Sequence, residues 1–177
     1  MADLKESGAV DLIGIGVNET EVCEYLLERV DLDVVLLAGR YTLLDQRAAE
    51  RVLPLCRKKA VRFIAAAPYN SGILAQPTAR LSDPHFDYGP PSAELLGRTR
   101  ELERVCHRFG VPLAAAALHF PARHPDISSV LAGFSRESEV ADHLARLRTA
   151  VPEELWAALR DGGLVRAPIS GCDGIAA

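Results

Sequence analysis

Four short loops of this 177-residue chain carry the polar and small residues best suited to bind a ligand. They lie at 17–19, 38–41, 68–72 and 133–136, each directly after an apolar run. The third reads Pro-Tyr-Asn-Ser-Gly, and turns of this kind let backbone N–H groups approach a phosphate or pyrophosphate. The fourth, Gly-Phe-Ser-Arg, adds a hydroxyl and a guanidinium at the start of a predicted helix. Each loop alone is weak evidence for a ligand site, because residues such as Gly133 and Ser135 are more readily explained as a turn and a helix cap.

The apolar runs before these loops predict four buried strands, at 11–17, 33–38, 61–67 and 127–132. They are mostly continuous runs, a pattern typical of parallel strands covered on both faces. Because a helical pattern follows each strand, we expect right-handed crossovers with the loops at the carboxyl ends of the sheet, where α/β folds place their working groups. Two α/β architectures satisfy this pattern, a small doubly wound sheet and half of a (β/α)8 TIM barrel. Composition does not choose between them.

Capping residues and apolar spacing predict where the helices begin and which faces they bury. The predicted starts are Asn18 in a capping box with Glu21, then Asp45, Ser92, Pro112, Ser135 and Pro152. The predicted inward faces include Val22, Leu26 and Val30 on the first of these helices, and Val140, Leu144 and Leu147 on the fifth. Trp156, on the last helix, is interpreted as a packing anchor and not as a ligand contact.

Composition excludes several classes of protein. The chain is 49% hydrophobic with a net charge of −4, which argues against disorder, and its 20 basic residues are mixed among 24 acidic ones without a basic stripe for nucleic acid. It has no apolar run of membrane-spanning length and no secretory signal at its start, so we expect a cytoplasmic location. Cys23, Cys56 and Cys106 fall on predicted helix faces and Cys172 near the end, which favours reduced thiols over a disulfide framework.

Three residues of the long loop after the third strand alternate at a spacing that could ligate a metal ion: Asp83, His85 and Asp87. The neighbouring prolines and glycine favour a flexible loop on the substrate side instead.

Four ordered segments resemble the aldo-keto reductase superfamily in sequence and spacing. They are residues 14–19, 36–46, 68–74 and 130–140. The resemblance is strongest to the branch of the D-threo-aldose 1-dehydrogenases, also called L-fucose dehydrogenases, and covers only the second half of the family's (β/α)8 barrel, strands five to eight. It implies half of a TIM barrel and an NAD(P)-dependent enzyme that oxidises an aldose at its anomeric carbon to a lactone, or reduces a carbonyl.

The resemblance also implies residues that bind the cofactor, NAD or NADP (NADPH). Asn18 stands where relatives hold the nicotinamide carboxamide, and Tyr69 and Ser71 match the loop that covers the pyrophosphate. On the adenosine side the matching residues are Gly133, Phe134, Ser135 and Arg136 at the ribose and any 2′-phosphate, and Glu139, Asp142 and His143 near the adenine. Ala38 and Ala66 replace a Gln and a Tyr of many relatives, so these two contacts are lost or supplied differently. Glu139 in place of an Arg weakens the case for a 2′-phosphate, for which Arg136 could compensate.

No catalytic residue is predicted on this chain. The family's catalytic Tyr, Lys, Asp and His lie on the first four strands, which the resemblance does not include. A tyrosine protonates a carbonyl at neutral pH only when neighbouring groups lower its pKa. Tyr69 and Tyr88 have no lysine near them in the sequence, whose lysines are Lys5, Lys58 and Lys59.

We expect residues 1–165 to form the C-terminal half of an aldo-keto reductase domain and residues 166–177 a flexible tail. The favoured hypothesis is a cofactor-binding fragment that is inactive until the missing N-terminal half joins it, with a sugar or small carbonyl as substrate and neither nucleic acid nor membrane as partner. The first alternative is a non-catalytic nucleotide-binding module that closes a barrel by homodimerisation. The second is a non-functional remnant that folds poorly.

Overall fold

The computed structural model describes residues 2–166, which form four strands and seven α-helices. The strands are β1 (Gly14–Val17), β2 (Val34–Ala38), β3 (Arg62–Ala66) and β4 (Ile127–Leu131). The helices are α1 (Ala2–Glu6), α2 (Thr20–Arg29), α3 (Val52–Lys59), α4 (Ala93–Arg108), α5 (Leu113–Ala122), α6 (Glu137–Leu147) and α7 (Glu153–Asp161). Apart from Arg166, the predicted tail lies outside the described residues, and so does Cys172.

The four strands form one parallel sheet in the order β1-β2-β3-β4. A doubly wound sheet reverses direction beside its first strand, so that consecutive strands do not all lie in sequence. A (β/α)8 barrel adds each strand next to the one before it. The strand order therefore decides between the two predicted architectures, and the chain folds as an α/β half of a TIM barrel.

One face of the sheet is packed under the helices and the other is partly open. Val35 and Leu37 of β2 and Phe63 of β3 are buried in the core, whereas the intervening Leu36 and Ile64 point to the opposite face by strand alternation and stay partly exposed. The prediction of strands covered on both faces is thus wrong for the described residues. The open face corresponds to the interior of a barrel, which other strands cover when a barrel is closed.

A buried aromatic group joins α5 and α7. The Trp156 ring centroid lies 6.3 Å from that of Phe120, which in turn stacks on Tyr41 at 5.3 Å. Trp156 and Phe120 are fully buried, so the interpretation of the tryptophan as a packing anchor is confirmed.

Three cysteines lie in the core as predicted: Cys23, Cys56 and Cys106 are buried and unpaired. Burial raises the pKa of Cys23 and of Cys106 to about 12. These thiols therefore stay protonated and unreactive near neutral pH.

The structure confirms the predicted helix starts at Ser92, Pro112 and Pro152, while those predicted at Asn18, Asp45 and Ser135 differ. The Ser92 hydroxyl accepts the Leu95 N–H at 3.1 Å at the start of α4, and α5 and α7 follow Pro112 and Pro152 directly. Asn18 does not cap α2, which Glu19 precedes without a side-chain hydrogen bond. Asp45 accepts the N–H of Arg47 at 3.1 Å and so starts a 3₁₀ turn ahead of α3.

The predicted inward face is wrong for α6 and only partly right for α2, the two helices at the sheet edges. On α2 the buried apolar residues are Cys23 and Leu27, and Leu26 packs against the core as predicted, whereas Val22 and Val30 are exposed. On α6 the apolar residues Val140, Leu144 and Leu147 are 42%, 48% and 49% exposed. Among the helices, α2 packs on α3 and α6 packs on α5, and α2 also packs on β1 and β2. The apolar spacing predicts an apolar helix face, but it does not indicate whether another element of this chain packs on that face.

Candidate functional site

A cavity of about 820 Å³ lies at the carboxyl ends of β3 and β4. The loop after β3 forms one wall, and the loop after β4 together with the first turns of α6 forms the other. Parallel strands bring their carboxyl ends to one edge of the sheet, so two loops 60 residues apart in the chain meet there. The volume falls in the range typical of small-molecule sites.

The loop after β3 exposes backbone donors through an unusual conformation. Asn70, Ser71 and Gly72 have φ angles of 45°, 57° and 93°, values that Asn and Gly tolerate well and serine adopts seldom. The turn is closed by hydrogen bonds from Gly72 N–H to Tyr69 O and from Ala75 N–H to Gly72 O. The Ser71 N–H has no hydrogen-bond partner within residues 2–166, so it is available to an anion.

The opposite wall places further donors at the start of α6. The N–H groups of Gly133 and Phe134 have no partner in the described part of the chain. The Ser135 N–H is already bound by the carboxylate of Glu139 at 2.8 Å. Ser135 therefore does not cap the helix as predicted, since its hydroxyl also lies 3.2 Å from the same carboxylate.

A hydrogen bond ties the two walls together. The Tyr69 hydroxyl lies 3.0 Å from Nδ1 of His143 on α6, and the His143 ring also meets Phe134 edge-on at 4.9 Å. Burial, and then the positive charge of Arg146, lower the pKa of His143, so its imidazole is neutral at pH 7.

Cationic side chains complete the cavity. Arg136 and Glu139 form an ion pair at its rim at 3.2 Å. Arg146 donates to the carbonyl of Ala75 at 3.1 Å and lies over the Tyr69 ring, and Arg80 also lines the cavity. Sequence reasoning did not select Arg80 or Arg146. The position of Arg146, one helical turn beyond Asp142 and His143, was the signal that could have found it.

A second, smaller cavity of about 60 Å³ adjoins the first and shares Asn70 and Ser71 with it. Asn18 lines this one, and its side-chain N–H donates to the Tyr88 hydroxyl at 2.6 Å. Arg40 holds the surrounding loops together, because it donates to the Asn18 carbonyl at 2.6 Å and to the Asp87 carboxylate at 2.8 Å.

The structure thus brings eight of the ten predicted cofactor residues to one cavity: Tyr69, Ser71, Gly133, Phe134, Ser135, Arg136, Glu139 and Asp142. His143 supports the wall from behind, and Asn18 lies in the adjoining cavity. Asp87 pairs with Arg40, and within residues 2–166 no group of three or more His, Cys, Asp or Glu side chains is arranged to hold a metal ion. The described helices are also too short or too polar to cross a membrane.

Comparison with known proteins places the chain in a family. Residues 1–161 match the sequence profile of the Aldo/keto reductase family. The chain is 40% identical over 165 residues to the pyridoxal 4-dehydrogenase of Microbacterium luteolum, covering 93% of this chain and 48% of that protein. It is 36% identical over 165 residues to the D-threo-aldose 1-dehydrogenase of a Pseudomonas species, covering 93% and 50%.

Solved structures agree with the half-barrel fold. The holo form of an aldo-keto reductase from Bacillus halodurans matches with a TM-score of 0.70 at 21% identity, over 94% of this chain and 54% of that one. The glycerol dehydrogenase of Gluconobacter oxydans matches with a TM-score of 0.66 at 16% identity, over 97% and 55%. The chain spans about half the length of the curated relatives it matches. On the profile match and these identities, the chain belongs to the aldo/keto reductase family.

Proposed function

We propose that this chain is the cofactor-binding, C-terminal half of an NAD(P)-dependent aldo-keto reductase that oxidises an aldose to its lactone or reduces a carbonyl. The observation that carries the proposal is the cavity between the loops after β3 and β4. It combines free backbone N–H groups, hydroxyls and guanidinium groups in one enclosure, and it lies at the carboxyl ends of the strands. The relatives named as dehydrogenases of pyridoxal and of D-threo-aldoses supply the reaction class.

The donor set of this cavity fits a dinucleotide. The free N–H of Ser71 on one wall and those of Gly133 and Phe134 on the other suit a pyrophosphate held between them. Arg80 and Arg146 add positive charge that a diphosphate needs. A Cβ on Gly133 would meet no atom within 4 Å, so this backbone is open to a ligand on its free side.

The adjoining cavity extends the same site toward the nicotinamide. Asn18 offers a carboxamide there, and Ala67, Asn70 and Ser71 line both cavities, which therefore lie side by side. Tyr88 now binds the Asn18 side chain and is itself 86% exposed. This tyrosine can move away without leaving a buried position, which would free Asn18 for a ligand amide.

The bound nicotinamide would supply or accept a hydride, and this chain's contribution is to hold it. The chain's lysines lie far from the cavity, at the amino ends of the strands: Lys5 binds Asp33, just before β2, at 2.5 Å, and Lys58 and Lys59 end α3 just before β3. No described lysine is therefore placed to lower the pKa of a tyrosine at the cavity. The acid that donates a proton to the carbonyl must come from another part of the barrel.

Measurements of cofactor binding and of enzymatic turnover test the proposal that this chain binds the cofactor but is inactive alone. Calorimetric titration of the purified chain with NAD⁺ and with ADP-ribose is expected to give saturable binding, whereas nicotinamide mononucleotide, which lacks the adenosine half, should bind much more weakly. The chain alone should form no reduced nicotinamide from an aldose. Activity should appear when it is mixed with the N-terminal half of the Pseudomonas D-threo-aldose 1-dehydrogenase. Turnover by the single chain, or no binding of either adenine ligand, contradicts the proposal.

The unpaired edges of the sheet support the alternative, a homodimeric nucleotide-binding module. β1 and β4 each pair on one side only within residues 2–166, and the helices beside them carry the exposed apolar residues of α2 and α6. Two copies joined edge to edge would close eight strands. A defined dimer that binds NAD⁺, and that the N-terminal half of a relative does not disrupt or activate, would favour this alternative.

A further inference from the structure

A separate cavity of about 290 Å³ lies between the loop after β2 and the start of α4. Four segments that are distant in the sequence line it, and the lining residues are Leu44, Asp45, Gln46, Arg47, Phe86, Leu95, Arg98 and Arg166. None of these residues lines either cavity of the proposed cofactor site. The cavity is therefore a distinct candidate site, and what it binds does not depend on the proposed function.

The lining of this cavity carries more positive than negative charge. It includes three arginines and a single carboxylate, that of Asp45. Arg47 already binds this carboxylate, because its Nη2 and Nε donate to Oδ2 at 2.7 and 3.1 Å. The Asp45 carboxylate also lies 3.7 Å from Nη1 of Arg40. The surplus positive charge therefore rests on the two other arginines, Arg98 and Arg166.

Arg98 is partly buried on α4 and forms no ion pair with a carboxylate of residues 2–166. Its Nη2 donates to the Leu164 carbonyl at 2.8 Å, which leaves further N–H donors of the guanidinium available to a ligand. Burial, and then the positive charge of Arg166, lower the pKa of Arg98. Arg166 pairs with Glu50, but their side chains are 71% and 56% exposed, so this pair is weak. An anion between the two guanidinium groups would relieve their repulsion.

The remainder of the lining is mainly apolar. Leu44 is buried, and Phe86 and Leu95 are partly buried and pack against the core. The volume lies near the lower limit of small-molecule sites, which combine an apolar wall with a few polar groups that fix the ligand. This cavity therefore suits a small ligand with an anionic head and an apolar body.

We propose that this cavity binds a small phosphate monoester with an apolar body, and that Arg98 is the main contact to its phosphate. Arg47 and Arg166 add positive charge from the same lining, and Phe86 and Leu95 pack against the apolar part. The surplus of positive charge favours a doubly charged phosphate over a singly charged carboxylate. Guanidinium groups also match phosphate oxygens with paired N–H donors.

Calorimetric titration of the 177-residue chain with three probes tests the class of ligand. The probes are phenyl phosphate, inorganic phosphate and benzoate, at low ionic strength and at pH 8, where a phosphate monoester is doubly charged. Phenyl phosphate should bind with a Kd of about 1 mM or below. Inorganic phosphate, which lacks the ring, and benzoate, which lacks the second charge, should each bind about tenfold more weakly.

Three variants locate the bound probe. Arg98→Gln should weaken the binding of phenyl phosphate about tenfold, since it removes the charge and the paired donors. Arg100→Gln removes the same charge from an exposed position of α4 outside the lining and should leave the Kd unchanged. Arg80→Gln removes a cation from the large cavity and should also leave the Kd unchanged, because the probe does not bind there.

An NMR titration of the ¹⁵N-labelled wild type keeps the test valid if Arg98→Gln fails to fold. Phenyl phosphate should shift the amides of Arg47, Phe86 and Leu95 and leave those of Ser71 and Gly133 in place. Shifts confined to Ser71 and Gly133 overturn the inference, and so does the absence of binding by every probe.

Two calorimetric results also overturn it. In the first, Arg80→Gln weakens the binding of phenyl phosphate as much as Arg98→Gln does, which places the probe in the large cavity. In the second, phenyl phosphate and inorganic phosphate bind equally well, which replaces the monoester by free phosphate. None of these outcomes depends on NAD⁺, so the proposed function is tested separately.

Discussion

The Tyr69 hydroxyl and the His143 imidazole lie 3.0 Å apart and join the loop after β3 to α6, the two walls of the cavity. The two residues are 74 positions apart in the chain. A second contact joins the same walls, since Arg146 of α6 donates to the Ala75 carbonyl at 3.1 Å. The Tyr69–His143 hydrogen bond therefore helps to set the width of the proposed cofactor site.

Tyr69→Phe removes the hydroxyl and keeps the ring. Because one partly buried hydrogen bond is lost, the free energy of unfolding should fall by about 1 kcal/mol in a urea titration. Tyr25→Phe is the control, since Tyr25 is 57% exposed on α2 and its variant should match the wild type. Equal stabilities of Tyr69→Phe and wild type would show that the contact does not hold the walls together.

Gly133→Val tests whether a ligand approaches the backbone of the loop after β4. Gly133 needs no left-handed φ, and a Cβ there would meet no atom within 4 Å, so the fold should tolerate valine. The added side chain would occupy the space beside the N–H of Phe134, and affinity for NAD⁺ should fall about tenfold or more. Gly89→Val, equally unobstructed but outside the large cavity, should bind NAD⁺ like the wild type. If both variants bind equally well, the cofactor does not lie against this loop.

His124 should make the stability of the fold depend on pH. Its Nδ1 accepts the Asp126 N–H at 3.2 Å, and burial lowers its pKa despite the nearby Asp126 carboxylate. The folded state therefore releases a proton that the unfolded chain still binds, so stability present above the unfolded pKa of about 6.5 is lost as the pH falls below it. His124→Asn, which offers a comparable acceptor that does not titrate, should flatten the decline between about pH 6.5 and 5. Denaturant titrations across this range measure the difference, and parallel curves for the two proteins would refute the assignment.

The apolar side of α6 should mediate association. Leu144 lies on α6 and is 48% exposed, as are Val140 and Leu147 to a similar degree. Sedimentation velocity should show the purified wild type associating with rising concentration, because apolar faces and unpaired strand edges are exposed together. Leu144→Glu should weaken that association with a change in unfolding free energy of only about 0.5 kcal/mol. Arg100→Glu, on an exposed position of α4, serves as the control. A wild type that stays monomeric at all concentrations contradicts this account of the edge.

The strands and their loops were predictable from the sequence because they depend on local signals. The four apolar runs contain all four strands, and the polar or glycine residues directly after them mark the carboxyl ends where Ser71 and Gly133 line the cavity. Local signals did not distinguish a barrel from a doubly wound sheet. That distinction depends on which strands pair, and the spacing of residues within a strand does not indicate its partner.

The inward face of α6, and part of that of α2, were mispredicted for a related reason. Periodicity places Val140 and Leu144 on one apolar stripe, but a stripe is buried only if another element covers it. The Arg40–Asp87 ion pair joins residues 47 positions apart, so no local pattern indicates it. Glu139 could be recognised as an acidic residue in the first turn of a helix, while its contact with Ser135 depended on the exact residue at which α6 begins.

The central claim, that the loops after β3 and β4 hold the adenine dinucleotide, is tested most directly by an NMR titration of the ¹⁵N-labelled chain with ADP-ribose. We expect saturable shifts confined to the amides that line the cavity without internal partners, those of Ser71, Gly133 and Phe134, and to their neighbours on α6. The amides at the amino ends of the strands, such as Asp33 and Arg62, should not move. Shifts clustered away from the cavity, or no shifts at saturating ligand, would contradict the account.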